Sequence, residues 1–170
     1  LVILLTLISC SPLTGSRRQA RPAGTLPASR QDPSLSGNGR YLASIRREGG
    51  IDAVIVQEQP SGRRLRLRRL SRLRPHRSPS LSWNGRYLAL VGMQGSRRLV
   101  LIEDRVSGRL HRIPFPARQE PERVTLSPEG RRLAVEVKDN GRSRVRLFDL
   151  SGLLEADRPA GPPVLQGSSR

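Results

Sequence analysis

The chain has 170 residues, 3% of them aromatic, and a formal net charge of +17. That length holds one modest core or a few stacked repeats and excludes two large domains, and the shortage of aromatics leaves Leu, Val, Ile and Ala to build the interior. A single cysteine excludes an intrachain disulfide and a cysteine-cluster metal site.

Residues 1–8 read LVILLTLI, an apolar run too short to cross a bilayer as a helix and of the right length for the hydrophobic part of a secretory signal. Ser9 and Cys10 follow at once. Leu7-Ile8-Ser9-Cys10 resembles the bacterial lipobox, which implies a signal peptide over 1–10 and lipidation of Cys10; a plain signal peptide or an uncleaved anchor is the other reading of these residues. Residues 11–30 are rich in Ser, Pro, Gly, Ala and Arg without periodicity, the composition of a flexible linker that holds a folded part away from a surface.

From Pro33 a phrase begins that returns twice: PSLSGNGRYLA at 33–43, PSLSWNGRYLA at 79–89 and, more loosely, VTLSPEGRRLA at 124–134. Its Gly-Arg falls at Gly39, Gly85 and Gly130, first 46 and then 45 residues apart, the mark of a repeat architecture. Each copy predicts two short strands about a tight turn at Asn38-Gly39, Asn84-Gly85 and Glu129-Gly130. Asn and Gly both tolerate the positive φ that a twist-matched hairpin turn demands, whereas Glu129 weakens that signal and Pro128 pre-sets φ in its place.

A polar break and a third strand follow in every copy, over 53–56, 99–102 and 145–148. Ser61-Gly62-Arg63 and Ser107-Gly108-Arg109 then introduce a fourth, over 65–70 and 110–113, while Ser151-Gly152 runs into Leu153-Leu154-Glu155 and prolines. Asp139-Asn140-Gly141 lacks the remaining ligands of a calcium loop and reads as a hairpin turn. The pattern predicts an all-β partial β-propeller of about three four-stranded antiparallel blades, over 31–76, 77–122 and an incomplete 123–152, with an irregular tail over 153–170.

At Pro33, Leu35, Ser36, Asn38, Gly39, Leu42 and Ala43, and again at Pro79, Leu81, Ser82, Asn84, Gly85, Leu88 and Ala89, the chain resembles the TolB-type β-propeller repeat family. Copy three matches at Leu126, Ser127, Pro128, Gly130, Leu133 and Ala134 and departs from the pattern at Glu129. The resemblance implies a periplasmic or envelope-associated binding protein, often connected with the Tol system, and it identifies the scaffold far better than the task. Propellers close with about four to eight blades. Three therefore leave open self-association, completion by another chain, an open array, or a part of a longer protein.

Of the basic residues only Lys138 is lysine. An arginine coat suits phosphate, sulfate or carboxylate partners, and equally it is a solvated face. The densest window, 63–77, holds Arg63, Arg64, Arg66, Arg68, Arg69, Arg72, Arg74 and Arg77 without a single acid, and is the candidate anion-binding face. Leu65 and Leu67 alternate with Arg64, Arg66 and Arg68, predicting a strand with arginines on one side, a pattern that also protects sheet edges.

No Gly-x-Ser-x-Gly elbow, phosphate loop or metal-ligand spacing occurs, and no cofactor is implied. His76 and His111 have no partner at triad or metal spacing and read as solvated or edge histidines, while Trp83 is either a surface aromatic for a partner or packing against a neighbouring blade. Together these features point to a non-enzymatic envelope lipoprotein that binds an envelope protein or an anionic envelope polymer, tethered to the membrane by a lipid on Cys10, with polyanion binding through the Arg-rich window or assembly into a larger propeller as alternatives.

Overall fold

Short apolar stretches rich in Val, Leu and Ile, broken every few residues by Gly, Asn and Ser, form strands and turns throughout. The computed structural model describes residues 29–67 and 69–157. The apolar run over 1–8, Cys10, the linker over 11–28, Arg68 and the tail over 158–170 lie outside the described residues.

Three antiparallel sheets follow one another along the chain. Blade 1 contains β1 (Gln31–Leu35), β2 (Tyr41–Glu48), β3 (Ile51–Glu58) and β4 (Arg64–Leu65); blade 2 contains β5 (Arg77–Leu81), β6 (Tyr87–Gln94), β7 (Arg97–Asp104) and β8 (Arg109–Ile113). Blade 3 contains β9 (Gln119–Leu126), β10 (Arg132–Asp139) and β11 (Arg142–Asp149), in the spatial order β11-β10-β9. This is the all-β partial propeller that the repeats predict, with three strands in the last blade among the described residues.

Side chains alternate across each strand, so a blade packed between two others is apolar on both faces. Blade 2 is such a blade. Tyr87, Ala89, Val91, Val100 and Ile102 form one buried layer with Val124, Leu126, Leu133, Val135 and Val137 of blade 3. Leu81, Leu88, Leu90 and Leu101 form the other with Ala43, Ile45, Val54 and Val56 of blade 1.

The first strands of the blades, β1, β5 and β9, lie side by side. Serine hydroxyls join them at the repeat spacing: Ser34 Oγ accepts from the Leu81 N–H at 3.0 Å and Ser80 Oγ from the Leu126 N–H at 2.9 Å. The hairpin turns are tied in the same way, with the Asn38 N–H donating to the Trp83 carbonyl and the Trp83 N–H to that of Pro128. Register between blades is therefore set by hydrogen bonds as well as by apolar contact.

The turns differ from the sequence expectation in one respect. At Asn38-Gly39 and Asn84-Gly85 only the glycine is left-handed, with φ of +72° and +67°. The N–H of Gly39 closes back on the Ser36 carbonyl and the Ser36 N–H donates to the Tyr41 carbonyl, so a four-residue loop over 37–40 with a left-handed glycine stands in place of a two-residue mirror-image turn. That latter turn occurs at Asn140-Gly141, where both φ angles are positive. A glutamate at position 129 is thus tolerated, because only Gly130 must be left-handed.

Candidate anion-binding cleft

The window over 63–77 does not form the long arginine-faced strand that its alternation predicts. β4 stops after Leu65. Leu70 and Leu73, around a 3-10 turn at Ser71–Leu73, are drawn into the layer between blades 1 and 2, and this bends the segment inward. Burial of two leucines outweighs two or three further ladder bonds at a sheet edge.

The bend sorts the arginines. Arg63 joins Arg40 on the carboxylate of Glu58, at 2.9 and 2.7 Å, and the Arg40 hydrogen bond, with that of Arg63, holds the Glu58 carboxyl below its ordinary value. Arg64 and Arg74 share Glu48, and Arg77 faces Glu122 at 3.6 Å. Arg66, Arg69 and Arg72 remain exposed with no acidic partner among the described residues. Arg68 lies outside them.

Two of these three converge on one cavity. Arg69, Ser71, Arg72 and Leu73, leaving blade 1, and Gln94, Leu110 and Arg112 of blade 2 line a cleft of about 620 Å³. No carboxylate of the described residues lines it, and Arg112 is steadied by a 3.0 Å hydrogen bond to Gln94 Oε1. Three guanidinium groups around one opening can pair with phosphate, sulfate or carboxylate oxygens in the bidentate manner that arginine favours. Arg112 lies outside the window; the register that sets β8 beside β7 brings it there, and local sequence carries no sign of that juxtaposition.

A second cavity, of about 510 Å³, opens where the first strands of the blades begin. Asp32, Asp52 and Glu122 line it with Arg77 and Arg123, so its charges are mixed and select no ligand class. Among the described residues no group of three His, Cys, Asp or Glu could hold a metal ion, and no helix is long and apolar enough to cross a membrane.

His76 is corrected from a solvated loop residue to a buried one, 3% exposed. Its Nδ1 accepts from the Val54 N–H at 3.1 Å and its Nε2 donates to the Leu70 carbonyl at 3.0 Å, while burial pushes its pKa down to about 4. Trp83 resolves toward packing. A Cβ at Gly37 would lie 2.3 Å from Trp83 Cε3, so the indole occupies the place a side chain would take on the blade 1 turn. His111 is half-buried on β8.

The other turn residues have structural partners. The Ser36 hydroxyl and the Arg40 N–H both bond to Asn38 Oδ1. In blade 2 the corresponding acceptor is Asp157, far along the chain, whose carboxylate takes the Ser82 hydroxyl and the N–H groups of Asn84 and Arg86. The N–H of Asp157 donates in turn to Glu129.

No protein-family model matches the chain, and no curated protein does. Solved structures do. The TolB-type protein of Agrobacterium tumefaciens superposes with a TM-score of 0.60 at 18% identity, over 76% of this chain and 46% of that one. The β-propeller domain of the trilobed protease from Pyrococcus furiosus matches with 0.56 at 12% identity, over 77% and 42%. Dipeptidyl peptidase 4 of Porphyromonas gingivalis matches with 0.55 at 11% identity, over 79% and 26%. This chain spans less than half the length of each. Its fold is that of a TolB-like β-propeller, represented by three consecutive blades.

Proposed function

We propose that the chain is a non-enzymatic binding scaffold of the bacterial cell envelope, held at the membrane by a lipid on Cys10 and receiving an anionic group of an envelope protein or polymer in the cleft of Arg69, Arg72 and Arg112. The observation that carries the binding role is this cleft, lined by three arginines and by no carboxylate of the described residues, whereas the cavity of about 510 Å³ has mixed charge. The likeness to a TolB-type propeller and the lipobox-like residues 7–10 support the envelope setting.

The test uses heparin as a polyanion probe. The full chain binds it with an affinity that falls at least tenfold between 50 and 200 mM salt, because released counterions drive such association. A variant with Arg69, Arg72 and Arg112 all changed to Ala loses at least tenfold relative to a control lacking Arg47, Arg109 and Arg131, which removes equal charge elsewhere. Equal loss in the two variants would refute the cleft. Palmitate labelling of cells making the chain tests the anchor: incorporation that survives Cys10→Ala removes it.

A further inference from the structure

Among the described residues nothing pairs with the outer edge of β11 in blade 3. In blade 2 the equivalent strand β7 is covered on its outer side by β8, from Val100 opposite Ile113 to Asp104 opposite Arg109. Among the described residues β11 pairs with β10 alone. The chain does not turn back into the vacant lane over its next residues: after Leu150 it buries Leu154 between blades 2 and 3 and fastens Asp157 to the blade 2 turn. The Leu150 N–H donates to the Arg131 carbonyl at 2.7 Å. Antiparallel alternation from that bond directs the N–H groups of Arg144 and Arg146 toward β10 and those of Ser143, Val145 and Leu147 outward.

The side chains of the edge are as ordered as its backbone. Arg142, Arg144 and Arg146 lie on one face and are exposed; Val145 and Leu147, 69% and 79% exposed, lie on the other. Arg142 and Arg144 have no acidic partner among the described residues, and Arg146 bonds only to Gln119 Oε1. A second β11 laid alongside would set arginine against arginine or against the Val145–Leu147 face, and either mismatch disfavours pairing. The segments outside the description, 1–28 and 158–170, contain no Asp or Glu. A strand that satisfies both faces alternates acidic and apolar residues, which neither of those segments does.

We propose that the outer edge of β11 is a strand-addition site for an extended acidic segment of another protein, its carboxylates beside Arg142, Arg144 and Arg146 and its apolar side chains over Val145 and Leu147. This site is separate from the cleft, and the variant lacking Arg69, Arg72 and Arg112 keeps it.

Fluorescence anisotropy of labelled eight-residue peptides against the full chain decides the matter. An alternating Glu-Val peptide binds at least tenfold more tightly than its Lys-Val counterpart and at least tenfold more tightly than the Glu-Val peptide with a central Pro, which keeps the charge and loses the strand. Leu147→Pro, which deletes an outward N–H and no arginine, weakens binding at least tenfold. So does Arg144→Glu with Arg146→Glu, which alters exposed side chains only and leaves the circular dichroism spectrum unchanged. Equal binding of the proline-interrupted peptide, or unchanged binding by Leu147→Pro, reduces the edge to plain charge attraction and overturns the proposal. A native mass showing a dimer that Leu147→Pro dissociates assigns the edge to a second copy and overturns it as well.

Discussion

Blade 2 and blade 3 carry versions of one sequence phrase, yet they present opposite kinds of surface to what lies beyond them. In blade 2 the face toward blade 3 is Tyr87, Ala89, Val91, Val100 and Ile102, none more than 1% exposed. The same positions in blade 3 are Arg132, Ala134, Glu136, Val145 and Leu147, with charge at two of five and the last two open to solvent. Blade 1 shows the mirror of this on its other side, where Ser44 stands in place of Leu90 and shares the Arg30 guanidinium with Gln57. The repeat is written most faithfully where one blade touches the next. A Cβ on Gly85 would meet Tyr41 Cδ2 at 2.7 Å and one on Gly130 would meet Tyr87 Cδ2 at 2.8 Å, so each turn glycine seats the tyrosine of the blade before it. Arg132 takes the tyrosine position where no described blade follows.

The largest expected effect is at the centre of this contrast. Leu90→Ala empties a wholly buried site in the layer between blades 1 and 2, and lowers unfolding free energy by about 2–5 kcal/mol. Leu147→Ala, at 79% exposure, changes it by less than about 0.5 kcal/mol. Urea unfolding of the two variants checks this, and comparable losses would mean that β11 is covered in solution.

The turn glycines come next. Gly85→Ala forces a residue with φ of +67° into the left-handed region and presses its Cβ on Tyr41, for a loss of about 2–4 kcal/mol from strain and overpacking together. Gly39→Ala has the same backbone strain at φ +72° with open space around its Cβ, and loses about 1–2 kcal/mol. Thermal unfolding of the pair separates the contact from the dihedral. If the two melt alike, the tyrosine seat contributes nothing.

How much of this was legible follows from which interactions are periodic. The 46- and 45-residue spacing, the turn glycines and the apolar alternation of 87–91 and 99–102 are local, and from them the three sheets could be read without coordinates. What escaped lies in contacts between copies. Nothing near Arg112 announces that β8 sets it beside Arg69 and Arg72, and nothing near Asp157 that its carboxylate serves the blade 2 turn in the role Asn38 fills within its own. The arginine window misled for a related reason. Its alternation promised a strand, but Leu70 and Leu73 found a buried layer within reach, and tertiary burial prevailed over local pattern. His76 was misread in the same way, since its partners Val54 and Leu70 are identified only once blades 1 and 2 are packed.

That histidine gives the two blade junctions different responses to acid. Between blades 1 and 2 the neutral imidazole ties Val54 to Leu70, its own N–H donates to the Asp52 carbonyl, and burial lowers its pKa to about 4 from an ordinary 6.5. Between blades 2 and 3 the corresponding residue is Glu122, in ion pairs with Arg77, Arg98 and Lys138. Above the ordinary histidine value both folded and unfolded chains hold a neutral ring, and His76 adds no pH dependence. As pH falls from about 6.5 to about 4 the unfolded chain takes up a proton that the folded chain refuses, so stability drops by at most about 1.4 kcal/mol per pH unit, and below that range the histidine adds no further slope. Trp83, the only tryptophan, sits on Gly37 across this same junction, so its fluorescence reports the contact directly. Urea midpoints followed at Trp83 decrease between pH 6.5 and 4.5, and His76→Gln, less stable at neutral pH, shows a smaller decrease over that interval. A variant with the full wild-type slope would assign the acid sensitivity to the carboxylates instead.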